Sequence, residues 1–120
     1  MKSYKAKYEI LKVCKTPVIF KTDYNYKTTT TDNIKEKMQH EFLQQPYTSD
    51  YFDCDDYAWI LKALVNKDGV NGIGVVLGRY KDTHHYWNVY LTDNGAMQAD
   101  PMLSTTFKKS SKYRPYCVLL

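Results

Sequence analysis

The chain has 120 residues and a formal charge of +4, which fits one domain; 43% hydrophobic and 25% charged residues exclude disordered and collagen-like classes. Of 17 basic residues only Arg79 and Arg114 are arginines, so bidentate phosphate recognition is poorly equipped and no specific nucleic-acid role is indicated. No run approaches the roughly twenty apolar residues that span a membrane, and the Lys-rich N-terminus lacks a signal-peptide core.

Residues 3–13 alternate Tyr4, Ala6, Tyr8 and Ile10 with Lys5, Lys7 and Glu9, and period two predicts a strand with one wet face. Pro17 marks the edge or start of a short extended piece. The polar run 28–31 leads to a helix capped by Thr31 or Asp32, with Ile34, Met38 and Phe42 on one face and Gln44-Gln45-Pro46 ending it. A second helix begins near Asp53 and runs to about Asn66, with Cys54, Ala58, Leu61 and Val65 at helical spacing and Lys67-Asp68-Gly69 stopping it. Strands follow at 75–80, from His85 and at 96–100, with Asp93-Asn94-Gly95 as a hairpin turn. Residues 103–112 read as a basic loop, and 113–120 as a final strand. The fold class this predicts is α+β, the helix carrying Cys54 packed on an antiparallel meander.

The residues with chemical potential are Cys54 at a helix start, His85 at a strand start and Asp100 at the end of the next strand. First-turn amides favour a thiolate, an imidazole can exchange the thiol proton, and a carboxylate can orient that imidazole. A two-residue turn at Asn94-Gly95 sets Asp100 opposite Val89, so a longer loop or bulge is needed to bring it to His85. Parity with Trp87 and Val89 selects His85, not His84, to face Cys54.

The segments Asp53-Cys54-Asp55-Asp56-Tyr57-Ala58, His85-Tyr86-Trp87-Asn88-Val89 and Ala99-Asp100-Pro101 resemble the signatures of transglutaminase-like, papain-fold cysteine proteins, small bacterial or phage members above all. The resemblance covers roughly residues 45–102 of a single 1–120 domain. It implies a papain-like fold and acyl transfer through a Cys54 thioester, with His85 as base and Asp100 as orienting acid, on a protein or peptide substrate. It implies no cofactor, and no calcium loop appears. Gln44, Gln45 and Tyr51 are candidates for the oxyanion side chain. The alternative function is an inactive binding module of the same fold, a small viral or microbial factor acting on a host protein.

Other groups have plainer readings. Cys14 and Cys117 are expected to be core thiols, since three widely spaced cysteines argue against a disulfide framework and for a reducing, cytoplasmic setting, the host's if the source is viral. Asp53, Asp55 and Asp56 suit a helix N-terminus better than a metal site with His84 and His85. Lys108, Lys109, Lys112 and Arg114 read as a solvated basic loop. Cys117-Val118-Leu119-Leu120 matches a prenylation pattern, whose plainer reading is a last strand; only prenylation of Cys117 would imply a membrane.

Overall fold

The computed structural model describes residues 1–120. Its elements in chain order are α1 (Ser3–Val13), β1 (Val18–Phe20), α2 (Thr31–Met38), a short 3-10 turn (Glu41–Leu43), α3 (Cys54–Lys67), β2 (Ile73–Tyr80), β3 (Thr83–Thr92), β4 (Gly95–Asp100), β5 (Thr105–Phe107) and β6 (Tyr113–Leu119). The six strands form one mixed sheet in the order β1-β6-β2-β3-β4-β5, with β1 parallel to β6 and every other pair antiparallel.

Helices cover both faces of this sheet. Ala6, Ile10 and Val13 of α1 pack on Val76, Trp87, Val89 and Leu91. On the opposite face Leu61 and Val65 of α3, with Ile34 and Met38 of α2, pack on Ile73, Tyr90 and Ala99. Strand alternation explains the division, because odd residues of β3 face α1 while Tyr90 faces α3. Ala58, Leu61, Val65, Val75, Val89 and Leu91 are all buried between these layers.

The expected papain-like helix-on-sheet arrangement is corrected here. The predicted strand at 3–13 is the helix α1, so the helix bearing Cys54 is the third and not the second. Spacing of four and three residues puts Ala6, Ile10 and Val13 inside, while Tyr4 and Tyr8 are 77% and 62% exposed. The apparent alternation arose from aromatic residues that never enter the core. The sheet is mixed, not an antiparallel meander, because the last strand inserts between β1 and β2.

Smaller departures have equally local causes. Thr30 caps α2, its Oγ1 accepting the Asn33 N–H at 3.1 Å. That helix ends at Met38, and Leu43, not the exposed Phe42, supplies the buried side chain of the following turn. The loop 103–112 contains β5. Residues Cys117 to Leu119 lie in β6, with Val118 and Leu120 buried, as the strand reading of that tail expects.

Candidate functional site

The end of β2 at Tyr80, the start of β3 at Thr83 and the end of β4 at Asp100 share one end of the sheet. The N-terminus of α3 starts there too. Asn88 fixes the helix on the sheet, its Nδ2 donating to Ala58 O at 2.9 Å and to Gly74 O at 3.1 Å. Lys62 adds a second clamp, Nζ donating to Ile73 O at 2.6 Å. Between helix and strands lies an open cleft of about 420 Å³, bordered by Cys54, Tyr47, Tyr80, His84 and His85.

His85 and Asp100 form the floor. His85 Nε2 and Asp100 Oδ2 are 2.7 Å apart, with both side chains out of solvent. The hairpin register explains the meeting. Thr92 pairs with Gly95, so Asp93 and Asn94 are the turn's central residues, and Asn88 stands opposite Ala99. That shifts Asp100 two residues closer to His85 than a turn centred on Asn94-Gly95 allows. Gly95 takes φ of +119°, a conformation glycine adopts without a Cβ penalty.

Asp100 is held from three sides. Its Oδ1 accepts the Met102 N–H at 3.2 Å, and Tyr113 donates its hydroxyl to Oδ2 at 2.8 Å. Burial works to lower the His85 pKa, but Asp100 and then Cys54 outweigh it and raise the imidazole from 6.5 to about 9. Cys54 is half-buried and borders the cleft beside this ring, which its sulfur helps to keep protonated. With Nε2 committed to Asp100, Nδ1 is the ring nitrogen left for the cleft.

The acidic residues around Cys54 serve the helix start. Asp53 and Asp56 form a capping box in which the Asp56 carboxylate accepts the Asp53 N–H at 3.0 Å. Asp55 sits against Asp53 and is pushed up to about 6 by that shared hydrogen bond, burial and repulsion. The three carboxylates come within 4.8 Å of one another, with neither histidine among them.

Of the other sequence candidates, none of Gln44, Gln45 and Tyr51 lines the cleft. Gln44 donates to Met38 O, Gln45 O accepts the Tyr57 hydroxyl, and Tyr51 is 85% exposed. Cys14 is a core thiol as expected, pushed up to about 12 by burial, while Cys117 is half-buried. Sequence reasoning missed Tyr47, Tyr80 and Tyr113. The pairing of Tyr80 with Tyr113 across β2 and β6, which puts their rings 4.8 Å apart, joins residues far apart in the chain.

No family model and no curated protein matches the chain. Its fold is similar to part of two solved structures. The PSL1a–E64 complex aligns with a TM-score of 0.85 at 23% identity, over all of this chain and 51% of that one. Polyporus squamosus lectin bound to the human-type influenza-binding epitope Neu5Aca2-6Galb1-4GlcNAc aligns with a TM-score of 0.82 at 22% identity, over all of this chain and 49% of that one. The chain thus spans about half the length of these neighbours. The resemblance to transglutaminase-like, papain-fold proteins is corrected accordingly, since no such family model matches and the neighbours are lectin structures. The hydrolase reading, with acyl transfer through Cys54 on a protein or peptide substrate, is corrected with it.

Proposed function

We propose that the chain is a binding module and that its ligand is a glycan carrying an acidic group, seated in the cleft at the α3 N-terminus. The observation that carries this reading is the union, in one open cleft, of tyrosine walls and a fixed imidazolium. Tyr47 and Tyr80 offer flat amphipathic surfaces to the apolar face of a sugar ring. Thr83, His84 and Nδ1 of His85 offer donors to hydroxyls and to a carboxylate. The similarity to a lectin solved with a Neu5Ac-terminated trisaccharide supports this ligand class.

The test is titration of the isotope-labelled chain with that trisaccharide and with its counterpart lacking Neu5Ac. Saturable shifts at Thr83, His84 and His85, weaker without Neu5Ac and lost in His85→Ala, are expected. An absence of shifts across a glycan panel, or shifts confined to another surface, overturns the reading.

A second reading rests on the neighbour solved with E64 and on Cys54 facing His85. In it the cleft holds a thiol-reactive ligand at the Cys54 sulfur, beside the His85 ring that Asp100 keeps in place. Intact-mass measurement after E64 treatment should show an adduct that Cys54→Ser lacks; an unmodified wild-type chain rules it out.

A further inference from the structure

We infer that a second site, lined by Lys15, Lys109, Ser110 and Ser111, binds a tetrahedral oxyanion group, a phosphate or sulfate ester. It is a pocket of about 360 Å³ between the end of α1 and the loop joining β5 to β6, and it shares no lining residue with the cleft. A buried side chain builds it. Gln98, 2% exposed, donates through Nε2 both to Val13 O at 2.9 Å and to Lys108 O at 3.1 Å, tying the two rims together. The first of these bonds also occupies a carbonyl at the negative end of α1, which would otherwise repel an anion.

The lining carries donors and no acid. Neither Lys15 nor Lys109 makes an ion pair, and Lys108 and Lys112 nearby are also unpaired. The main-chain N–H groups of Lys109, Ser110 and Ser111 donate to nothing within the protein. Ser110 Oγ accepts the Lys112 N–H at 3.3 Å, which leaves its own proton to give. Two ammonium groups, two hydroxyls and three successive free amides match the several acceptors of one oxyanion group.

The experiment titrates the labelled chain with inorganic phosphate and, separately, with a sulfated disaccharide, following the amides of Lys109 to Ser111. Saturable shifts at these amides are expected, and the stronger ligand identifies the ester. Lys15→Ala combined with Lys109→Ala should weaken binding by about tenfold or more, as expected on losing two charge-assisted contacts. Lys5→Ala combined with Lys7→Ala, which removes equal charge from the outer face of α1, should leave it unchanged. Equal weakening by both pairs means diffuse charge attraction and overturns the site, as does an absence of shifts with both ligands.

Discussion

Asp100 and His85 meet at 2.7 Å although they lie on neighbouring strands and are not register partners. The contact exists because the β3–β4 hairpin closes between Thr92 and Gly95, and because Tyr113, reaching from β6, holds the carboxylate from behind. Three strands therefore cooperate to keep one imidazole charged.

That charge sets a pH dependence. The His85 pKa is raised from 6.5 to about 9, so the stability it contributes is fully present below 6.5 and is lost as pH rises through about 9. Asp100→Asn removes the negative partner while leaving the burial, so the His85 pKa should fall. Following the imidazole ring resonances of His85 across pH in both proteins checks this, and an unchanged midpoint in Asp100→Asn contradicts the assignment.

Cys14 and Cys54 should separate chemically. Cys14 is 1% exposed and its pKa is pushed up to about 12, whereas Cys54 is half-buried and borders the open cleft. Iodoacetamide under native conditions should modify Cys54 well before Cys14, as peptide mapping over time will show. Simultaneous modification would mean that alkylation follows global unfolding.

Much of this was legible in the chain itself. The helical stripe of α3, the alternation of β3 and the choice of His85 over His84 depend on local periodicity, which survives into the fold unchanged. The helix α1 is not legible there, because Tyr4 and Tyr8 mimic a strand face while remaining in solvent. The insertion of β6 between β1 and β2, and the contact of its Tyr113 with Tyr80 behind the cleft, are non-local pairings with no signature in any short window. The likeness of the Cys54, His85 and Asp100 segments to one family does not fix the family.

Leu61 tests the α3 side of the core. It is fully buried among Ile34, Val65, Ile73 and Tyr90, on the face that seats the helix. Leu61→Ala should cost about 2–5 kcal/mol, the range for opening a cavity in a packed core. Denaturant unfolding will measure it, and a loss near zero would mean that α3 is not anchored through this stripe.

Gly78 couples the core to the cleft, which makes its replacement the most informative. It pairs with His85 on one side and, at an irregularity after Leu77, with Pro115 on the other. A Cβ here would overlap the Arg114 carbonyl and come within 2.7 Å of the Trp87 ring, and neither neighbour can withdraw freely. Gly78→Ala must therefore push β6 away from β2 or displace Trp87, and both movements disturb the Tyr113 hydroxyl that holds Asp100. The expected result is a loss of roughly 1–3 kcal/mol, typical of overpacking, together with a lowered His85 pKa as the Asp100 contact loosens. Thermal unfolding and the His85 titration should move together. Lost stability with an unshifted His85 would show that the imidazole–carboxylate pair is held by β3 and β4 alone, without help from β6.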